Sequence, residues 1–443
     1  MSDTFDTHTI TRLAAQLKEP AWLTELRRAA LARHGTLPWP HASDDIWRRT
    51  DVTLLDPGRG FTSAQARPSD ASRQAAQEIR PLGEEALVVR LDGQWLLRPT
   101  VPNVSIQDLA EAAHGAPEPL RAAITADGLS DAEQKLSTLN VAFHQDDLVV
   151  RVAADTSQPM PLRLVHVLSA GPKQAVFPLT VLLVASGSTI TVIDEYISLP
   201  GPPFAGAVAG DPSGSPEPHL INARIELVIE PGATVHYVRL QRWAPQAREF
   251  LLQRATLGRG ASLTMANINL GASLSKAHLV TKLVGEGAST KLYGFVFGHD
   301  RQHIDQHTLQ DHQAPRTTSD LHFRAALQDR SRMVYTGLIR IAPAAQQTQA
   351  FQANHNLLLS QGAQAETIPM LEILADDVQC KHGASIGPID EEQAFYLMSR
   401  GLPRPAAERL IVMGFVQEVV QQVPFEPLQE AIRREIESGL HGG

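Results

Sequence analysis

The sequence predicts a mainly β protein with a parallel β-helix core and helical regions at both ends. Three observations favour this fold: a repeated glycine turn followed by a strand-like run, an abundance of Val, Leu, Ile and Thr, and helical periodicity confined to the two ends. Aromatic residues make up only 5% of the 443 residues, which suits stacked thin sheets better than an aromatic-rich sandwich. A chain of this length can form two or three domains or one elongated repeat body.

The repeat aligns on four glycines, Gly187, Gly232, Gly260 and Gly287. The last two intervals are 28 and 27 residues, and the first is longer by about the size of a Pro/Gly-rich insertion over 200–218. A period of 27 to 28 residues, with short strands and no helical pattern between the turns, is typical of a parallel β-helix rather than a leucine-rich repeat. The alternative is a coincidence among glycine-turn-strand motifs, which are common in all-β proteins.

Helical patterning precedes and follows the repeat. Apolar residues recur at helical spacing over 10–34, with a break at Pro20, and a hairpin is predicted around the turn at Asp92 and Gly93. Three helices are predicted after Gly387, and they could cover the open end of the solenoid or form a docking surface for another protein. The predicted regions are an N-terminal helical or mixed region over 1–125, the β-helix core over 126–388 and a C-terminal helical region over 389–443.

Composition and charge exclude several classes of function. A net charge of -9 argues against a general nucleic-acid binder, because phosphate contacts need a basic surface. No stretch approaches the roughly 20 apolar residues of a membrane helix, and the acidic first residues do not resemble a secretory signal. With one cysteine the chain can form no internal disulfide, so we expect a cytoplasmic protein. The sequence contains no glycine-rich phosphate loop, which predicts that the chain does not hydrolyse ATP itself.

The only cysteine, Cys380, lies two residues before His382. In an extended strand, residues two apart share a face, so a thiol and an imidazole would be presented side by side as soft metal ligands. A complete iron-sulfur or zinc site usually takes four ligands. The pair therefore offers half of a site that a partner would complete, or it is a buried cysteine beside an ordinary hydrogen-bonded histidine.

Two other groups of polar residues invite a functional interpretation. Histidines are crowded at positions 299, 303, 307, 312 and 322. The spacing of four between the first three would place them on one face of an α-helix, where they could bind a metal. In a β-helix these positions fall on strands and turns, so ordinary hydrogen-bonding roles are expected. Parallel β-helices also include polysaccharide lyases and hydrolases, which need carboxylates and a base in one groove. The residues that could serve such an enzyme are Asp300, Asp305, Asp311, Arg316 and Lys282.

Several stretches in the C-terminal half carry a family likeness: residues 352–360 (QANHNLLLS), 369–385 (PMLEILADDVQCKHGAS) and 395–401 (FYLMSRG). Further matches lie at 305–308, 315–320, 47–50 and 139–143, and the likeness is weakest at about 56–85 and 200–218. Together they resemble the SufB/SufD family of the Suf iron-sulfur cluster assembly system. The run around Cys380 and the lack of further cysteines are closer to the SufD branch, and a SufB-like paralogue is the alternative within the family.

The resemblance implies a right-handed parallel β-helix and a non-enzymatic scaffold subunit with no catalytic residues. Members of this kind pair with SufB through the β-helix ends and bind the SufC ATPase through the C-terminal helical region. An iron-sulfur cluster would form transiently at the SufB interface, with His382 as the main candidate and Cys380 as a helper, and none would be tightly bound to the isolated chain. The exposed β-helix edge also predicts a homodimer of the isolated protein.

Overall fold

The computed structural model describes residues 5–63, 68–115, 117–125, 129–199 and 217–440. Most of the predicted insertion, residues 200–216, lies outside the described residues. The rest forms a mainly β structure with about eight parallel coils and helices at both ends, which confirms the predicted fold class.

The helices flank the strands along the chain. They are α1 (Thr7–Leu17), α2 (Ala21–Thr36), α3 (Asp70–Gln77), α4 (Leu109–Gly115), α5 (Pro117–Thr125), α6 (Asp131–Phe143), α7 (Glu391–Ser399), α8 (Arg404–Val420) and α9 (Glu426–Gly439), with a short 3-10 helix at Val52–Leu55. The predicted break at Pro20 and the three predicted C-terminal helices are confirmed. Asp390 caps α7 by accepting hydrogen bonds from the backbone N–H groups of Glu392 and Gln393.

The strands are short at the N-terminal side and reach 8 to 11 residues in the repeat. They are β1 (Thr62–Ser63), β2 (Ala86–Leu91), β3 (Gln94–Leu97), β4 (Val104–Gln107), β5 (Asp147–Val152), β6 (Leu162–Leu168), β7 (Gln174–Val176), β8 (Leu179–Val184), β9 (Thr189–Ser198), β10 (His219–Ile229), β11 (Thr234–Arg242), β12 (Ala247–Leu257), β13 (Ser262–Asn269), β14 (Leu274–Leu283), β15 (Ser289–Gly298), β16 (His303–His312), β17 (Thr318–Leu327), β18 (Arg332–Ile341), β19 (Thr348–Leu358), β20 (Gln364–Ile373) and β21 (Val378–Pro388).

Two sheets face each other, and each coil contributes one strand to each of them. Sheet A runs in the order β20-β18-β16-β14-β12-β10-β8-β5-β4, and sheet B in the order β21-β19-β17-β15-β13-β11-β9-β6-β2-β3. The pairing is parallel from β5 and β6 onward, whereas β2 and β3 form the antiparallel hairpin predicted at Asp92 and Gly93. Alternate side chains of both sheets point into the space between the sheets and form the main apolar core. Leu263 and Met265 of β13 are examples from sheet B.

The repeat glycines occupy one turn of each coil, between the sheet A strand and the sheet B strand. Their backbone φ angles are 71°, 70°, 63° and 70° for Gly187, Gly232, Gly260 and Gly287, the left-handed region that glycine adopts without strain. Each glycine N–H donates a hydrogen bond to a carbonyl in the same turn of the next coil, for example from Gly260 to Glu286 at 2.9 Å. This line of bonds along the solenoid is termed the turn ladder.

The turn ladder continues two coils beyond the last glycine of the predicted repeat. Arg316 and Gln347 take the equivalent positions with φ angles of 58° and 60°, and their N–H groups donate to the carbonyls of Gln346 and Asp377. The glycine pattern does not reveal these coils, because residues larger than glycine adopt the same left-handed conformation there. The repeat therefore extends through β21.

Replacing Gly287 with Ala is expected to lower the free energy of unfolding by about 1 kcal/mol, because a side chain disfavours the left-handed backbone. A Cβ at this position would meet no atom within 4 Å, so backbone strain is the only cost. The measurement is urea unfolding followed by circular dichroism. Gly414→Ala is the matched control: this exposed position inside α8 is also open, and there alanine should stabilise by up to about 1 kcal/mol. Equal effects of the two substitutions would contradict the prediction.

The helices cover the outer faces of the two sheets. Helices α1, α2, α4, α5 and α6 pack against the outer face of sheet A. Helices α8 and α9 pack against the outer face of sheet B, where Val416 and Ile432 meet Val238 and Phe295. The C-terminal helices therefore lie along the side of the solenoid and do not cover its last coil. In the described part of the chain, β20 pairs only with β18 and β21 only with β19.

A charged cluster lies inside the first coils, around His166 of β6. The ring nitrogens of His166 lie 3.3 Å from Asp146 Oδ2 and 3.1 Å from Asp194 Oδ1, and Tyr196 donates its hydroxyl hydrogen bond to Asp194 at 2.9 Å. Burial alone would lower the pKa of His166, but the two carboxylates outweigh it and raise the pKa to about 9. The imidazolium is therefore a structural cation at neutral pH.

The raised pKa of His166 predicts that the protein loses stability as the pH rises from about 6.5 to 9. Below the unfolded pKa near 6.5 the histidine is charged in both states and its full contribution is present; above it, the folded state alone binds the proton until pH 9. The loss should reach at most about 3 kcal/mol in chemical unfolding. His166→Gln should remove this slope, whereas His312→Gln should keep it, because His312 is a buried histidine whose pKa is low. A slope unchanged in His166→Gln would refute the assignment.

Candidate functional site at the open end of the β-helix

Cys380 and His382 lie on β21, the last strand of sheet B. The strand places them on the same face, as their spacing predicts, with Cys380 opposite Ala350 and His382 opposite Gln352 of β19. This face points between the two sheets, because Ala350 and Gln352 are buried there. The last coil has no further coil beyond it, so its inward face is open to solvent. We term the uncovered ends of β20 and β21 the open end.

Cys380 is partly buried in a small apolar cluster. It packs against Ile339, Ile341, Ala345 and Ala350. Burial raises the pKa of the thiol, although a hydrogen bond from the backbone of Ala350 lowers it in part. At neutral pH the thiol is therefore protonated and is a weak nucleophile and ligand until a metal or base removes its proton.

His382 is exposed at the open end, two residues further along the strand. Its register neighbour Gln352 is buried, and its side-chain amide donates a long hydrogen bond of 3.4 Å to the carbonyl of Gly337, while its side-chain oxygen has no partner among the described residues. An accessible imidazole thus lies beside an amide oxygen that no described group satisfies. Of the two predicted site residues, His382 is the one that a ligand can reach directly.

A row of polar side chains continues from Gln352 along the inner face of β19. Asn354 and Asn356 are buried in this row, opposite Ala384 and Ile386 of β21. Within the part of the chain that the structure describes, the side-chain oxygens of Gln352 and Asn356 and the hydroxyl of Thr367 on β20 have no hydrogen-bond partner. Sequence reasoning missed this polar lining. The sequence does contain a signal for it, because polar residues occupy every second position of 352–356. In a strand, such positions share one face, here the face toward the interior.

The rim of the open end is apolar. Leu371 and Ile373 lie on β20, Leu374 follows that strand and Ile386 lies on β21; between 39% and 57% of each residue is exposed. The outer backbone edges of β20 and β21 carry no paired strand in the described structure. Free strand edges beside exposed large apolar residues are typical of a surface that another protein covers.

A second exposed apolar surface lies at the start of the C-terminal helices. It consists of Phe395, Tyr396 and Met398 of α7, Leu402 after it and Leu410 of α8, and we term it the α7 patch. Phe395 is 72% exposed and Tyr396 57%, although the remainder of α8 buries its apolar face against sheet B. Residues of this size are rarely left in solvent together unless they meet a partner.

Most of the other polar residues singled out in the sequence form hydrogen bonds or ion pairs with nearby residues and do not share one site. His299, His303, His312 and His322 bond to Asp300, Thr50, Thr317 and Asp320, as expected of ordinary histidines. His307 differs, because neither of its ring nitrogens has a hydrogen-bond partner among the residues that the structure describes. The carboxylates considered for a carbohydrate-cleaving groove do not converge: Asp305 pairs with Lys276, Asp311 with Arg340 and Asp300 with His299.

Sequence comparison relates this chain to a known protein family. Residues 166–415, more than half of the chain, match the family model described as SUF system FeS cluster assembly, SufBD core domain. The iron-sulfur cluster assembly protein SufD of Escherichia coli is 27% identical over 373 residues, covering 83% of this chain and 84% of the relative. A SufBD family protein of Synechocystis is 27% identical over 427 residues, covering 94% and 91%.

Further relatives have the same description. An iron-sulfur cluster assembly SufBD family protein of Mycobacterium tuberculosis is 27% identical over 412 residues, which cover 90% of this chain and 89% of the relative. Among the described helices, none combines the length and apolar character needed to cross a membrane. The family match, which includes the open end and α7, shows that the chain belongs to the SufBD family of the SUF system for iron-sulfur cluster assembly.

Proposed function

We propose that this protein is a SufD-type scaffold subunit, without catalytic activity of its own, that pairs with SufB and docks the SufC ATPase in the cytoplasm. The observation that carries the proposal is the exposed His382 on a strand whose outer edge is unpaired in the described structure, within an open end that is rimmed by apolar residues and lined by polar groups without a described partner. The likeness to Escherichia coli SufD supports the choice of branch. In this proposal the chain is divided into an N-terminal helical or mixed region over 1–125, the β-helix core over 126–388 and a C-terminal helical region over 389–443.

SufB would cover the open end and complete the site there. On the inward face of the open end, the described residues offer the exposed imidazole of His382 and the partly buried thiol of Cys380, whereas a cluster usually takes four protein ligands. A partner that extends the sheets at β20 and β21 would bury the apolar rim and bring its own ligands to His382. The cluster would be cargo, assembled between the subunits and passed on, so the isolated chain should not retain it.

The experiment that tests the proposal is anaerobic co-expression with SufB and SufC and purification through a tag on this chain. A stable complex that contains all three proteins, iron, sulfide and ATPase activity would support it. Recovery of this chain without either partner would overturn the proposal, even if the protein is folded. Light scattering of the isolated chain would show in addition whether the open end forms a homodimer when SufB is absent.

SufC docking is predicted to depend on the α7 patch. Phe395→Ala should weaken the affinity for SufC at least about 30-fold, because a central aromatic anchor of an interface commonly contributes 2 kcal/mol or more. The measurement is isothermal titration calorimetry with purified SufC. Leu97→Ala is the matched control, since Leu97 of β3 is 46% exposed and lies far along sheet B from β21. Equal affinities for the two variants would contradict the predicted docking site.

A further inference from the structure

A cluster of Glu133, His278 and His307 lies buried between α6 and the outer face of sheet A. Glu133 belongs to the first turn of α6, whereas His278 and His307 are directly opposite each other on the adjacent strands β14 and β16. One ligand-type atom of each residue lies within 4.8 Å of those of the other two. The cluster is on a different sheet from Cys380 and His382, so it is independent of the open end.

The cluster leaves buried nitrogen atoms without partners. Glu133 is held by Ser130, whose N–H and hydroxyl donate to Oε2 at 2.8 Å each, and its Oε1 lies 2.9 Å from His278 Nδ1. In the described structure, His278 Nε2 and both ring nitrogens of His307 have no hydrogen-bond partner. Buried polar groups are normally paired with protein, water or an ion, so the unpaired imidazole of His307 beside this carboxylate calls for a ligand.

The protonation states suit a cation. Burial lowers the pKa of His307 and also lowers the pKa of His278. Burial would raise the pKa of Glu133, but its hydrogen bonds with His278 and Ser130 outweigh burial and lower it. At neutral pH the cluster thus holds two neutral imidazoles and a carboxylate, the forms in which these side chains bind metals. The nearby ammonium of Lys276 is compensated by Asp305 at 2.8 Å.

We propose that Glu133, His278 and His307 bind a divalent transition-metal ion, with Zn²⁺ the best match to two imidazoles and one carboxylate. The 2.9 Å between Glu133 Oε1 and His278 Nδ1 is shorter by about 0.4 Å than the separation of two ligand atoms at a tetrahedral angle on one ion at about 2.0–2.1 Å, so this contact would open slightly to admit the ion. His278 would bind as the tautomer with its proton on Nε2, so no net proton is released at that ring. His307 would move inward by roughly 1.5 Å to complete the set.

Such an ion would be structural. It would join α6 to two coils of sheet A, in a site that is closed to substrates because only 7%, 0% and 4% of Glu133, His278 and His307 are exposed. The three protein ligands leave one position for a water molecule. Bound metal would therefore raise thermal stability, a readout that does not depend on cluster assembly.

The test uses the full chain without a metal-binding tag, carrying Cys380→Ser and His382→Ala to remove competing ligands. After treatment with a chelator, Zn²⁺ is titrated against a chromophoric competitor, and Co²⁺ is added separately to record its absorption bands. We expect about one ion per chain, a rise in Tm with Zn²⁺, and Co²⁺ bands of a four-coordinate nitrogen and oxygen site. The absence of saturable binding would overturn the proposal.

His307→Gln should weaken Zn²⁺ binding at least about 100-fold and abolish the rise in Tm, whereas His236→Gln, at a partly exposed histidine of β11, should change neither. If His307→Gln fails to fold, Glu133→Gln serves instead, because glutamine can keep the contact with Ser130 while the charge is lost. That variant should bind at least about tenfold more weakly. Affinity equal to that of the parent chain in either folded variant would refute the site.

Discussion

Replacement of His382 by Ala is expected to abolish iron-sulfur cluster accumulation on the complex of this chain with SufB and SufC, to below about 10% of the parent level, while the complex still assembles. The imidazole is exposed on the edge strand and makes no hydrogen bond that holds β21 in place, so its removal should leave the fold intact. What is lost is the one accessible ligand that this subunit presents to its partner. The measurement is the iron and sulfide content and the visible absorption of the anaerobically purified complex.

His355→Ala is the matched control for this experiment. His355 lies on the neighbouring strand β19, on the opposite face, where its ring bonds to the hydroxyl of Ser385. Its removal should leave cluster accumulation near the parent level. Cys380→Ser should reduce accumulation only in part, because the thiol is packed among apolar side chains and its pKa is raised by burial. A normal cluster content in His382→Ala would remove this residue from the proposed site, without affecting membership of the family.

Introducing two carboxylates at the open end, by Leu371→Glu with Ile386→Glu, is expected to prevent pairing with SufB. Both side chains point inward from the last coil and are about 40% exposed, so a partner seated on this end must bury them. Burial of each apolar side chain contributes roughly 1.5–3 kcal/mol, whereas burial of an unpaired carboxylate costs several. The combined change should weaken the affinity at least about 1000-fold. Size-exclusion chromatography with light scattering and a tagged pull-down would measure it.

The control for the open-end variant is Leu97→Glu, which adds a carboxylate at an exposed leucine of the hairpin strand β3. This variant should bind SufB normally. Circular dichroism must show that the double variant keeps the β-helix, since its substitutions lie on partly exposed side chains of the last coil. If the isolated parent chain is a dimer, the double variant should be monomeric. Unimpaired binding of SufB by the folded double variant would show that the partner contacts another surface.

Features that depend on a single strand or a single turn could be predicted from the sequence. The spacing of Cys380 and His382 predicted that they share a face, because side chains alternate along a strand. The glycines predicted four of the turns, since the left-handed conformation favours glycine. The same rule missed the turns at Arg316 and Gln347, where neighbouring coils hold a larger residue in that conformation through the turn ladder.

Features that depend on contacts between distant segments could not be derived in this way. The apolar faces of α8 and α9 indicated that the helices are buried, but not that they pack on the side of sheet B instead of over the last coil. His307 looked like its neighbours in the sequence, yet it alone lies beside Glu133 and His278, which come from α6 and β14. Such a grouping arises from the stacking of coils and the packing of the N-terminal helices.

The turn ladder also determines which part of the β-helix unfolds first. Each inner coil is hydrogen-bonded to a neighbour on both sides, but the coil of β20 and β21 has a neighbour on one side only, and its last rung runs from Gln347 to Asp377. In a linear array with nearest-neighbour coupling, the terminal unit has the lowest opening free energy, so amide hydrogen exchange should be fastest there. A subunit stacked on this coil supplies the missing neighbour. Assembly would thus slow local opening in the strand that carries His382, and the gain in protection would report subunit association before any cluster is formed.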